Sequence, residues 1–204
     1  MPGRSYRADE RNLVELASTQ GGFFTSKQAA RYGYAAPKRH YHVRVGNWIR
    51  ERRGIFRLSA YPLPERPDLI LWWLWSRNQA DQPQGVYSHQ TALSLHGLTD
   101  LMPSRLHMTV PPNFRRSAPI PRSLKVHQAG LVEHEVERLD GVPVTNAIRT
   151  LLDLMTSGDV AVAGLRSALA LATKSGTVTR AQIAAAETSA EWRDAIRTLQ
   201  GSKR

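Results

Sequence analysis

Apolar positions first recur at helical spacing between residues 7 and 18, where Leu13, Leu16 and Ala17 stand among charges. Gln20-Gly21-Gly22 stops that pattern. Thr25-Ser26-Lys27-Gln28 then reads as a capping box, the Thr25 hydroxyl meeting the start of a helix and Gln28 reaching back. The spacing predicts a second helix over residues 26–32, closed by Gly33. A third runs over 37–45, with Pro37 in its first turn and Gly46 at its end. In that third helix Tyr41 and Val45, with Trp48 beyond, fall at helical spacing and are expected to pack inward. Residues 48–51 and 55–58 are rich in β-branched and aromatic side chains and flank Arg52-Arg53-Gly54, the pattern of a short hairpin. Helix, helix, tight turn, helix and β-ribbon is the order of a winged helix-turn-helix.

Tyr61-Pro62-Leu63-Pro64-Glu65-Arg66-Pro67 interrupts all regular structure and sets the expected boundary. Residues 1–62 form the winged helix-turn-helix and 67–204 a second domain. A Trp-rich helix over 68–77 is apolar on nearly every side, so it is expected to lie buried between the two modules. Ser88 reads as the N-cap of a helix over 89–96 that Gly97 ends. Short strands are predicted at 106–110, 124–127 and 135–139, with Asp140-Gly141 turning into 142–144. Thr145 is the expected cap of a helix over 146–155. Helices then follow over 160–173, 180–187 after the Thr179 cap, and 191–199, before a frayed end at 201–204. The fold class is α+β: an N-terminal winged helix-turn-helix, then a mixed domain with a small antiparallel sheet and helices.

Composition narrows the function. The 204 residues are 41% hydrophobic and 22% charged, enough apolar surface to fold. Cysteine is absent, which excludes disulfides, thiolate zinc sites, iron–sulfur clusters and cysteine nucleophiles, and fits a reducing cytosol. The longest apolar run, from Leu69 to Trp75, is seven residues, too short for a bilayer. Met1-Pro2-Gly3-Arg4 leads into charged sequence without a signal-peptide pattern, so a soluble, cytoplasmic protein with no membrane partner is expected. The net charge is +11, and it is unevenly placed. Residues 1–66 hold 13 basic and 5 acidic side chains, residues 67–204 hold 15 and 12. One module therefore faces a polyanion.

The third predicted helix carries Lys38, Arg39, His40, His42 and Arg44. Recognition helices need long donors that reach base edges in the major groove, and Lys38, Arg39 and His42 are the candidates for that role. The ribbon adds Arg50, Arg52, Arg53 and Arg57 against Glu51 alone, a charge suited to the phosphate backbone or the minor groove. Thr25, Ser26 and Lys27, at a helix N-terminus, are candidates to hold a phosphate through backbone N–H groups. If about five of these cations meet phosphates, affinity falls with salt at a log–log slope near −4 to −5. The plainer alternative is a solvated basic face on a protein-binding module, since the fold alone does not prove function. The implied partner is double-stranded DNA, an operator that is repeated or palindromic because dimers or paired monomers set two helices about one turn apart. No heptad seam marks a homodimer.

These residues resemble the AbiEi family of antitoxins from type IV toxin–antitoxin systems. The similar stretches begin with Gly22-Phe23-Phe24-Thr25-Ser26-Lys27-Gln28-Ala29-Ala30, Tyr41-His42-Val43-Arg44-Val45-Gly46-Asn47-Trp48 and Arg53-Gly54-Ile55-Phe56-Arg57-Leu58. They continue with Leu74-Trp75-Ser76, Tyr87-Ser88-His89-Gln90-Thr91-Ala92-Leu93-Ser94-Leu95-His96-Gly97-Leu98, Leu106-His107-Met108-Thr109-Val110-Pro111 and Pro143-Val144-Thr145-Asn146-Ala147-Ile148-Arg149-Thr150-Leu151-Leu152-Asp153. The resemblance runs from about residue 10 to 155. It implies a repressor of its own operon whose C-terminal domain opposes a nucleotidyltransferase-type toxin. A regulator without a toxin, a purely protein-binding antitoxin, and a nuclease delivered to DNA by its winged helix are the alternatives.

Other constellations carry less. His89 and His96 recur at i, i+7, with His107, His127 and His134 further on, a wider spacing than zinc sites usually show. They are read as core or surface histidines, and no metal or cofactor is assigned. Glu133, Glu135 and Glu137 alternate and would share a strand face, where solvation is the commoner fate than Mg²⁺ binding. No P-loop, Asp-x-Asp pair or Gly-x-Ser-x-Gly elbow occurs, so no catalytic residue is named. Arg149 and Asp153 stand at i, i+4 and are candidates for a partner or interdomain contact, beside the reading of a local ion pair. The cluster of Trp72, Trp73 and Trp75 lacks flanking basic residues and reads as core.

Overall fold

A computed structural model of the chain describes residues 6–116 and 119–201. By contact the chain divides into two compact units, residues 1–85 with 140–142, and residues 86–139 with 143–204.

The first unit runs α1 (Tyr6–Ser18), β1 (Phe23–Thr25), α2 (Ser26–Arg31), α3 (Ala36–Arg44), β2 (Trp48–Arg52), β3 (Ile55–Leu58) and α4 (Pro67–Trp75). The predicted capping box forms: Gln28 N donates to Thr25 Oγ1 at 3.0 Å, and Thr25 N donates to Gln28 Oε1 at 2.7 Å. Strand β1 carries no signal of its own, because three residues cannot display alternation. It exists by pairing antiparallel with β3, in a sheet of order β1-β3-β2. That pairing brings Phe24 onto Trp48 edge-on at 4.7 Å and onto Phe56 at 5.9 Å. Leu13, Ala17, Ala29 and Tyr34 complete the core. Each such aromatic pair adds about 0.5–1.5 kcal/mol beyond the area it buries.

Helix α4 packs on β1 and β3, with Trp72 and Trp75 buried and in edge contact at 6.3 Å. It falls by contact in the first unit, whereas the sequence pattern placed residues 67–204 together. The proline-rich stretch breaks regular backbone but not packing, and composition reports only the former.

The second unit contains β4 (Val86–Tyr87), α5 (His89–Leu95), β5 (Leu106–Val110), β6 (Leu124–Gln128), a 3-10 turn at Glu133–Glu135 and β7 (Val136–Leu139). After β8 (Val142–Thr145) come α6 (Ala147–Ser157), α7 (Val162–Ser175), α8 (Arg180–Thr188) and α9 (Arg193–Gln200). The chain is thus α+β. The expected small antiparallel sheet is instead a mixed one, of order β6-β5-β4-β8-β7. Strands β4 and β5 are antiparallel, while β5–β6 and β4–β8 run parallel. Parallel neighbours need a long crossover, and residues 111–123, which show no periodicity, supply one between β5 and β6.

Two expected caps shift. Asn146, not Thr145, caps α6 by accepting from Arg149 N at 2.8 Å, and the Thr145 hydroxyl pairs with Thr150 at 2.7 Å. Ser88 stands at the N-cap of α5 but its hydroxyl makes no cap bond. The expected alternation of Glu133, Glu135 and Glu137 on one strand face also fails, since the first two lie in the 3-10 turn. Around α6, helices α5, α7 and α9 bury Leu151, Leu154, Leu165 and Ile196 completely. The expected fraying at 201–204 falls, beyond Gly201, outside the described residues. No helix among the described residues is long and apolar enough to cross a membrane.

Arg149 and Asp153 are consumed inside this second unit rather than offered to a partner. Arg149 Nε meets Asp153 Oδ1 at 2.8 Å, Nη1 meets Glu135 Oε1 at 2.8 Å, and the guanidinium lies 5.2 Å from the Trp192 ring. Both members of the pair are 8% exposed, so the expected partner or interdomain contact is corrected to an internal, buried ion network. A single i, i+4 spacing cannot reveal burial.

Candidate nucleic-acid interface

The fold presents α3 and the β2–β3 ribbon to one groove. Gln28 on α2 exchanges side-chain amide bonds with Gln20 at 3.0 and 3.2 Å, which anchors α2 to the end of α1. Gly33 then adopts a left-handed φ of +78, and Tyr34 turns inward. Its carbonyl accepts from Arg39 Nη1 at 2.6 Å, so the Arg39 guanidinium is oriented before any ligand arrives.

On a helix, residues 39, 40, 43 and 44 share one side. In α3 that side carries Arg39, His40 and Arg44 over Val43. On β2, Trp48 and Arg50 share a face by strand alternation, so the face that begins in the core ends at the groove. Arg50 and Arg53 form the opposite wall, with Ser26, Gly54 and Phe56 at the floor, around a volume of about 350 Å³. Among the described residues, no carboxylate lines this groove or pairs with Arg39, Arg44, Arg50 or Arg53. Four guanidiniums without counter-charges around one cleft make an anion site.

The turn of the ribbon is held from below. Gly54 has φ +74, and its carbonyl accepts from Ser26 N at 2.9 Å and Arg77 Nη2 at 3.2 Å. A Cβ there would sit 2.8 Å from that Arg77 nitrogen, the movable end of a long side chain, so it is the backbone conformation that calls for glycine. Arg77 Nε lies 3.1 Å from Asp81 Oδ1, and Asp81 Oδ2 accepts from the Thr25 hydroxyl at 2.6 Å.

That arrangement removes the phosphate site expected at Thr25, Ser26 and Lys27. Thr25 is fully buried, with its N–H and its hydroxyl both engaged, and the N–H of Ser26 is taken by Gly54. The Lys27 ammonium donates to the Gln79 carbonyl. The buried Asp81 carboxylate behind Thr25 would repel an anion. Ser26 keeps a place at the groove floor by its side chain.

Other candidates are also diverted. His42 is 8% exposed, stacked on Trp48 at 4.7 Å with Asn47 Nδ2 at 3.2 Å from its Nδ1; it belongs to the core, not the interface. Burial holds its imidazole below the ordinary value, against the pull of Glu10 and with the push of Lys38. Arg57 is paired with Glu51 at 2.8 Å, and the Arg52 guanidinium lies over Trp72 at 4.5 Å. Lys38 is exposed on the helix side that carries Tyr41 and Val45, away from the groove lining. Those two residues, expected to pack inward, are 52% and 46% exposed. The inward face of the helix is not the one assumed for Tyr41 and Val45, because Tyr34 and Trp48 select His42 and Val43 as its buried side.

His40 is the groove residue that charge counting passed over. The signal was available: it stands at i+1 from Arg39 and i−4 from Arg44. Replacing His40 by Ala is expected to weaken DNA binding by roughly 5- to 100-fold if it touches a base or phosphate. His42→Phe, which preserves the stack on Trp48, is expected to leave binding within about threefold. A gel-shift titration of the two variants at one salt concentration separates the faces.

Comparison with known proteins places this geometry. Curated proteins give no match to the chain. Residues 11–59 match the family model of the transcriptional regulator, AbiEi antitoxin. The match runs from within α1 to the end of the ribbon, the stretch that builds the arginine groove, so this N-terminal segment is similar to the AbiEi antitoxin family of transcriptional regulators.

Proposed function

We propose that the protein is a sequence-specific DNA-binding repressor that acts as the antitoxin of a type IV toxin–antitoxin system. In this reading residues 1–62 bind the operator of its own operon, and residues 67–204 counteract a nucleotidyltransferase-type toxin. The observation that carries it is the groove in which Arg39 and Arg44 of α3 face Arg50 and Arg53 of the ribbon. Helix α3 enters the major groove and the ribbon meets the flanking backbone, so one sugar–phosphate strand runs between them. The protein acts in the cytoplasm, as a dimer or as paired monomers on a repeated site.

The test is footprinting on the upstream region of its own gene across a salt series. A protected repeat with a log–log salt slope of roughly −3 to −5 is expected from three to five phosphate contacts. Uniform weak binding to any duplex, with no protected sequence, overturns the operator reading. Rescue of growth from a co-expressed toxin of the neighbouring gene tests the antitoxin half separately.

A further inference from the structure

Three histidines that lie far apart in sequence converge in the second unit. His89 opens α5, His107 sits on β5 and His127 on β6. In the parallel β5–β6 pair, His107 is opposite Lys125 and Thr109 opposite His127, which puts both imidazoles on one face of the sheet. His127 Nε2 lies 3.3 Å from His107 Nδ1, and the His89 ring stacks on His127 at 3.6 Å. One nitrogen from each ring falls within 4.8 Å of the other two.

We propose that His89, His107 and His127 form a binding site for one divalent transition-metal ion, with zinc as the foremost candidate. Two nitrogens on a tetrahedral ion at about 2.0–2.1 Å stand roughly 3.3–3.4 Å apart, which is the His107–His127 separation. The donor set is three imidazoles, with no thiolate. It suits zinc, cobalt, nickel or copper and does not suit calcium or magnesium, which need oxygen.

The surroundings favour ligation over a plain core cluster. Burial first, then the neighbouring histidines, hold His89 down at about 3 and His107 at about 4, and burial also lowers His127. Burial thus disfavours the charged form of each ring. The Ser88 hydroxyl lies 3.0 Å from His89 Nδ1 and is itself fixed by Thr109 Oγ1 at 2.8 Å, the kind of outer contact that orients a ligating ring. His89 holds a left-handed φ of +51, a costly conformation outside glycine. Asp159 pairs with Lys125 at 2.7 Å, and its field reaches all three rings. The sequence spacing that argued against a metal is bypassed, because the ligands come from three separate elements.

The experiment uses the full chain without an affinity tag, stripped by chelator and dialysed. Calorimetric titration with Zn²⁺ is expected to show one ion per chain. His107→Ala and His127→Ala should each weaken binding by at least about tenfold, while His134→Ala, an exposed histidine of the same unit, leaves it unchanged. Loading unaltered protein with Co²⁺ reads the coordination without any variant, so it stands even if a histidine variant fails to fold. Intense visible bands of a four-coordinate nitrogen site support the proposal. Absence of stoichiometric binding overturns it, as does a Co²⁺ spectrum of an octahedral aqueous ion, or equal Zn²⁺ affinity in the folded histidine variants.

Discussion

Arg39→Ala combined with Arg53→Ala is expected to lower operator affinity by roughly 100-fold or more at about 0.15 M salt. The two residues come from opposite walls of the groove, so the pair removes one donor from the helix and one from the ribbon. A contact to a base edge is worth about 1–3 kcal/mol, and a phosphate contact shows itself by lowering the salt slope by about 1. The double variant therefore reports the loss of affinity, and the salt slopes of the two single variants report which wall meets the backbone. Arg52→Ala is the matched control: its guanidinium rests on Trp72, and its loss is expected to change affinity less than about threefold. Arg39 also donates to the Tyr34 carbonyl, so the thermal midpoint of each variant is measured alongside. If the folded double variant binds the operator as the parent does, the groove is not the DNA-binding surface.

The largest stability effect is expected at Arg149. Arg149→Met retains much of the volume but leaves the buried Asp153 and the half-buried Glu135 without their cation, at a cost of about 3–5 kcal/mol at pH 7. Asp153 Oδ2 already lacks a hydrogen-bond partner among the described residues, so little else can absorb the charge. Burial raises the Asp153 carboxyl above its ordinary value of 3.8, against the pull of Arg149. A raised carboxyl binds its proton more readily in the folded state than in the unfolded one. Its contribution to stability therefore falls as pH rises from 3.8 through the folded value. Without Arg149 that folded value climbs further, so the deficit of the variant is largest at neutral pH and shrinks on acidification. Urea unfolding at pH 7 and pH 5 measures both points. Arg122→Met, an exposed arginine of the same unit, is expected to stay within about 0.5 kcal/mol of the parent at either pH. A deficit for Arg149→Met no larger than for Arg122→Met would show that the network adds nothing.

The diverted candidates show what charge counting reads and what it does not. Seven basic residues between 38 and 57 mark the segment of the chain that builds the groove. Four of them, Arg39, Arg44, Arg50 and Arg53, line the groove, Arg52 and Arg57 are engaged by other side chains, and Lys38 lies on another side of α3. Trp72 engages Arg52 across 20 positions, and Glu51 engages Arg57 across a strand pair. His42 was legible as a donor type but not as a core residue, since its burial depends on Tyr34 and Trp48 closing around it.

Local interactions, those reaching no further than about four residues, were enough to determine the capping boxes at Thr25 and Thr179, the hairpin around Gly54, the helical segments and the basic character of the N-terminal third. Which side of α3 faces inward, the parallel pairing of β5 with β6, the burial of Arg149 and the meeting of three histidines were decided only by tertiary structure. The physical reason is that each of these depends on partners brought together by packing. Thr25 meets Asp81 across 56 positions, a pairing that no periodicity, charge count or motif within either segment encodes.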